Sequence, residues 1–253
     1  MSKIYLIDLD GTMYRGTKQI EGANAFIEEL QKREETFYFL TNNSKRTRKQ
    51  NVEHMEKLGF KNIKEEHFFT SAMAAARYAR KHMEGNRAYY IGEEGLHEAL
   101  LENGFEICED QVDFVFVGLD NKATYEKYSK ALGYLLNGAK LIGTNNDRML
   151  PQPDGFKIGN GSIVHMFEYA SGQISPKIGK PHDAILEEAL DYLGCKKEDV
   201  VLIGDNLETD ILLGVRNDIE TVFVTSGVHQ IEDVDLLNIH PTRIVHDLTE
   251  LLK

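Results

Sequence analysis

Short apolar runs alternate along this chain with segments whose apolar residues recur at helical spacing. Ile4 to Ile7 is a continuous apolar run, the pattern of a parallel strand buried on both faces. Gly22 to Arg33 then places Ala23, Phe26, Ile27 and Leu30 on one helical face, and Thr36 to Leu40 forms a second apolar run. The next helix reaches Leu58 and stops at Gly59, a residue suited to a left-handed C-terminal cap. His67 to Ser71 reads as a third strand, leading into an alanine-rich helix over Ala72 to Lys81. Strands follow at Ala88–Ile91, Asp113–Val117 and Lys140–Ile142, with helices at Leu96–Glu102 and Tyr125–Leu136 closed by Gly104 and Gly138. Leu150 to Gly172 breaks the rhythm with Pro151, Pro153 and several glycines. It resumes with a helix from His182 to Leu193, strands at Val200–Ile203 and Thr221–Val224, and a short strand and helix in the tail. Strand and helix in alternation predict an α/β fold of parallel sheets with right-handed helical crossovers.

Several of these strands end in groups with chemistry. Ile4–Ile7 runs into Asp8-Leu9-Asp10-Gly11-Thr12, Leu40 into Thr41-Asn42-Asn43-Ser44, and Ile203 into Gly204-Asp205-Asn206 with Asp210 just beyond. Lys180 precedes Pro181 at the head of a helix. Asp-Leu-Asp-Gly taken alone also reads as a polar turn. In open α/β sheets, however, ligands bind beyond the carboxyl ends of the strands, where these groups share one edge. Two carboxylates one residue apart repel unless a cation or a shared proton compensates them, and a hard, oxygen-seeking Mg2+ suits them. Carboxylates, a hydroxyl and a lysine are an inventory for holding a phosphoryl group. A carboxylate nucleophile splits ester hydrolysis into two steps, and a second carboxyl can protonate the leaving oxygen and then activate water. Asp8 and Asp10 fit those roles in that order.

The interval from Asp8 to Thr41 holds one helix and one strand, whereas that from Thr41 to Lys180 is far longer than one crossover needs. An inserted α/β domain over residues 82–175 is therefore expected, splitting the catalytic core into 1–81 and 176–253. The net charge of -12 argues against a nucleic-acid-binding surface. No apolar run is long enough for a bilayer, and no signal-peptide pattern precedes Ile4. Cys108 and Cys195 show no metal or disulfide spacing. Together these point to a reducing, cytoplasmic setting.

The four strand-end motifs, in this order, resemble those of the haloacid dehalogenase-like (HAD) hydrolase superfamily: Asp8-Leu-Asp10-Gly-Thr12, Leu40-Thr41-Asn42-Asn43, Lys180-Pro181, and Gly204-Asp205-Asn206 through Asp210. The resemblance implies a Rossmann-like core with an α/β cap of the C2 type, Asp8 as nucleophile and Asp10 as general acid/base. It further implies Mg2+ held by Asp8, the Asp10 carbonyl and Asp205, with Asp210 supporting the metal ligands. Thr41, Asn42, Asn43 and Lys180 would hold the phosphoryl group. Asp-Leu-Asp-Gly-Thr-Met-Tyr-Arg-Gly, Ile-Gly-Glu-Glu-Gly, Gly143-Thr-Asn-Asn-Asp147, Pro153-Asp154-Gly155 and Gly159-Asn-Gly-Ser162 look like the NagD-like branch, which includes p-nitrophenyl phosphatases.

The expected activity is a Mg2+-dependent phosphatase on a small phosphorylated metabolite, with no nucleic-acid or membrane partner; a homodimer through the cap stays open. A phosphotransferase or mutase on the same aspartyl phosphate, and a non-catalytic phosphometabolite-binding protein, are the alternatives. Gly159 to Ser162 reads as a backbone turn in preference to a phosphate cradle. Thr144 to Asp147 reads equally as a turn or as a substrate contact.

Overall fold

The computed structural model describes residues 3–152 and 155–252. It forms two compact units, one of Met1–Thr41, Arg48–Phe69 and Ala189–Lys253, the other of Asn42–Thr47 and Thr70–Glu188.

The first unit is built on a six-stranded sheet in the order Arg243–Val245, Glu220–Val224, Val200–Gly204, Ile4–Ile7, Thr36–Thr41, Phe68–Thr70. Ile4–Ile7 lies in the middle, paired in parallel with Val200–Gly204 on one side and Thr36–Thr41 on the other. Its apolar continuity has a simple cause: Leu6 and Ile7 are wholly buried. Ile7 stands opposite both Ile203 and Phe39; the strands on either side run one residue further, to Gly204, and two residues further, to Thr41. Asp8, Asp205 and Thr41 therefore lie at the carboxyl ends of three adjacent strands. Helix Ala23–Lys32 buries Ala23, Phe26, Ile27 and Leu30, the four positions that its spacing marked.

The second unit carries its own parallel sheet of four strands, ordered Glu106–Ile107, Arg87–Ile91, Phe114–Val117, Lys140–Gly143. Tyr89, Ile91, Val115, Val117 and Leu141 on one face pack with Ala131 and Leu135 of helix Tyr125–Leu136 and with Val164 and Phe167 of helix Asn160–Ser171. The alternate positions Phe114 and Phe116 meet Phe105, with ring centroids 5.5 and 5.1 Å apart. Period-two alternation between two apolar faces makes Phe114–Val117 apolar throughout.

The stretch from Leu150 to Gly172, irregular by composition, is regular in structure. Met149–Gln152 and Gly155–Ile158 pair antiparallel, and Asn160–Ser171 is a helix. Its glycines conceal it: Gly161 lies in the first turn, where a Cβ would come 2.3 Å from the Asn146 carbonyl carbon, and Gly172 is the left-handed C-cap at φ 73°. Pro153 and Asp154 of the Pro-Asp-Gly motif lie outside the described residues. A small hairpin pairs Tyr14–Arg15 with Lys18–Gln19, shortly after the first strand.

Candidate active site

The strand ends gather three carboxylates in the first unit. Asp8 donates its backbone N–H to the Ile203 carbonyl at 2.8 Å, extending the sheet register by one residue. Asp205 directly follows the neighbouring strand Val200–Gly204 and is completely buried. Its Oδ1 accepts the Thr12 hydroxyl at 2.9 Å and its Oδ2 the Val228 N–H at 2.8 Å. Asp210 lies on the π-helical turn Leu207–Ile211, where the Asn206 carbonyl accepts from both Asp210 N–H at 3.0 Å and Ile211 N–H at 3.2 Å. In return Asn206 N–H donates to Asp210 Oδ2 at 3.3 Å.

Glycines make room for these acids. A Cβ on Gly227 would stand 1.6 Å from Asp205 Oδ2, and one on Gly11, at φ +102°, 2.2 Å from the same oxygen. A Cβ on Gly204 would meet the Asp210 carboxyl at 2.4 Å. The Gly227 loop is anchored too: the Ser226 hydroxyl donates to the Gly11 carbonyl at 3.0 Å, and Arg15 Nη2 donates to the Ser226 carbonyl at 2.6 Å.

Asp8, Asp205 and Asp210 each bring a carboxylate oxygen within 4.8 Å of the other two. Burial first, and then the Asp210 carboxylate, push Asp205 up to about 7, although its hydrogen bonds to Val228 and Thr12 pull the other way. An oxygen-only donor set whose negative charge is this costly to concentrate fits a hard divalent cation, and Mg2+ answers to that description.

The remaining sequence-marked residues fall in two places. Thr41, buried, closes the strand beside Ile4–Ile7, and Asp10 is exposed in the turn after it. Asn42, Asn43 and Lys180 belong to the second unit. Lys180 is 3% exposed, and Asn42 bonds its backbone on both sides. Asn43 Oδ1 accepts the Lys45 N–H at 3.0 Å, an Asx-type turn at the head of the following segment. Thr12, Gly227 and Val228 contribute to Asp205 without having been marked for that role. The only trace of the last two in sequence is that Thr221–Val224 also ends in small residues, Thr225-Ser-Gly227.

Residues 5–106 match the family described as haloacid dehalogenase-like hydrolase, and residues 177–251 match one described as HAD-hydrolase-like. The chain belongs to the haloacid dehalogenase-like hydrolases. An acid sugar phosphatase of Staphylococcus aureus (strain MRSA252) is 41% identical to this HAD hydrolase over 99% of the chain and 96% of the relative. A single mutant of the thermostable NPPase of Geobacillus stearothermophilus has a solved structure that superposes with a TM-score of 0.89 at 40% identity, covering 99% of this chain and 98% of that one. NagD of E. coli K-12 superposes with a TM-score of 0.89 at 32% identity over 98% of both chains. The chain is thus a HAD-type phosphatase of the NagD-like branch, on a Rossmann-like α/β core.

Proposed function

We propose that this chain hydrolyses small phosphomonoesters with Mg2+, through an aspartyl phosphate on Asp8. Sugar phosphates head the substrate class, following the acid sugar phosphatase relative, with p-nitrophenyl phosphate as an artificial substrate. The observation that carries the reading is the meeting of Asp8, Asp205 and Asp210 at one sheet edge. Asp8, the Asp10 carbonyl and Asp205 would hold the cation, with Asp210 beside them. A Mg2+ held by these residues would supply neutralising charge for the phosphoryl oxygens.

In the first step the Asp8 carboxylate attacks phosphorus, the P–O bond to the leaving group breaks, and the Asp10 carboxyl gives its proton to the departing oxygen. Asp10, now a carboxylate, takes a proton from water as that water attacks the acyl phosphate. Inorganic phosphate leaves and Asp8 is restored. Thr41 and Lys180 steady the transferring group, with Asn42 and Asn43 beside Thr41. The exposure of Asp10 suits a group that must exchange protons with leaving alcohol and water.

The cap is taken as residues 82–175 and the core as 1–81 with 176–253. The separate sheet over Arg87–Gly143, with its own apolar core, supports that division. The testing experiment is phosphate release from sugar phosphates, nucleoside monophosphates, phosphoglycolate, pyridoxal phosphate and p-nitrophenyl phosphate, with Mg2+ and with chelator. Metal-dependent release is expected, highest among sugar phosphates. Transfer of the phosphoryl group to an acceptor sugar in place of water would overturn the hydrolase reading.

A further inference from the structure

Asn42 grips Lys180 by its main chain. Lys180 N–H donates to Asn42 Oδ1 at 2.8 Å, and Asn42 Nδ2 donates to the Lys180 carbonyl at 3.0 Å, a two-point pairing like that of a neighbouring strand. The second Nδ2 hydrogen goes to Asp147 Oδ1, also at 3.0 Å. Asn145 Nδ2 meanwhile donates to the Asn42 carbonyl at 2.8 Å, an oxygen that the Ser71 hydroxyl also reaches at 2.7 Å. Asn145 Oδ1 accepts the Asp147 N–H at 3.1 Å, binding the two loop residues to each other. The loop holds Asn42 at side chain and backbone together.

The loop is itself fixed from behind. Asn160, 1% exposed, donates through Nδ2 to the Val117 carbonyl at 3.0 Å and to Thr144 Oγ1 at 3.1 Å. Gly161 N–H donates to the Asp147 carbonyl at 2.9 Å. The glycines at 159 and 161 admit the loop backbone, since a Cβ on Gly159 would lie 2.1 Å from the Asp147 carbonyl oxygen. The Gly-Asn-Gly segment therefore seats a loop. At Gly179, next to Lys180, a Cβ would come 2.8 Å from Asn42 Oδ1 and 2.6 Å from Asn145 Cβ. Both partners of the Asn42–Asp147 bond are half-buried, and a carboxylate acceptor makes such a bond strong and directional.

We propose that Asn145 and Asp147 are positioning residues for phosphoryl binding. Through Asn42 they set the main chain at Lys180 and at the Thr41–Asn42 junction, so that they govern how any phosphoryl group is held and not which leaving group is admitted. The inference rests on the reading of Lys180 and Thr41 as phosphoryl-holding groups.

The test compares Asp147→Ala with Asp147→Asn, using p-nitrophenyl phosphate, a sugar phosphate, and orthovanadate as inhibitor. Asp147→Ala is expected to lower kcat/KM by about tenfold on both substrates alike and to weaken vanadate inhibition by a similar factor. Asp147→Asn, which keeps an acceptor oxygen for Asn42, stays within about threefold of the parent. Loss on one substrate alone would make Asp147 a leaving-group contact and overturn the proposal, as would unchanged kinetics in a folded Asp147→Ala. Should that variant not fold, Asn145→Ser removes the grip on the Asn42 carbonyl and carries the same expectation and the same overturning results. Lys180→Met reads the underlying assignment separately, because retained turnover there removes the role of Lys180 whatever the Asp147 pair shows.

Discussion

At Asp205, burial and the Asp210 carboxylate oppose ionisation and hold the carboxyl near 7 against an ordinary value of 3.8. A folded-state value raised above the unfolded one favours folding below the unfolded value, and that contribution is lost as pH rises through the folded value. The chelated protein should therefore lose thermal stability between pH 4 and pH 7, by about 5 °C or more, with Mg2+ restoring most at pH 8. Asp205→Asn should flatten that profile and weaken Mg2+ binding, both read by melting curves against pH and Mg2+. Asp8→Asn, nearly isosteric, should keep the melting temperature within a few degrees while reducing turnover by at least about a thousandfold, measured as phosphate release. Gly227→Ala should cost about 3 kcal/mol by denaturant titration, because its methyl must displace the Asp205 carboxyl. Asp8 and Asp205 stood out in sequence since each follows an apolar strand run, and Asp210 lies on the turn just beyond Asp205. The Thr12–Asp205 bond and the space at Gly227 did not stand out, because each pairs residues remote in the chain.

Helices and strands show the same division between local and distant causes. Thr124 caps helix Tyr125–Leu136 by accepting the Lys127 N–H at 3.1 Å, and Thr124→Ala should cost about 1 kcal/mol in equilibrium unfolding. Phe116→Ala, at a fully buried site between Phe105 and Phe114, should cost about 4 kcal/mol by the same measurement. Helix Ala23–Lys32 was readable from spacing because its buried face is uninterrupted. Helix Asn160–Ser171 was not, since Gly159 and Gly161 answer to the backbone of a loop that precedes them, a demand no propensity records. The four-residue strands of the second sheet read cleanly because both their faces are buried. Two-residue Glu106–Ile107 offers too few positions to establish a period.

Across the whole molecule, strand and helix alternation was enough to give the parallel α/β class, while the order of strands in each sheet follows from pairings between distant segments. A net charge of -12 draws cations toward any acidic site, so the Mg2+ concentration for half-maximal stabilisation should rise about threefold from 20 to 200 mM monovalent salt, checked by thermal shift. The pairing of Ile4 with Val200 and with Thr36 bears on how the chain comes into being. On the ribosome, Ile4–Ile7 emerges shortly before Thr36–Thr41, the strand it pairs with on one side. Its other neighbour, Val200–Gly204, is made only after the strands over Arg87–Gly143. The strands over Arg87–Gly143 lie close in sequence and are available long before then. Synthesis thus delivers the second unit's sheet before the acid cluster: Asp8 waits for Asp205 and Asp210, and no product ending before them has the means to gather the three.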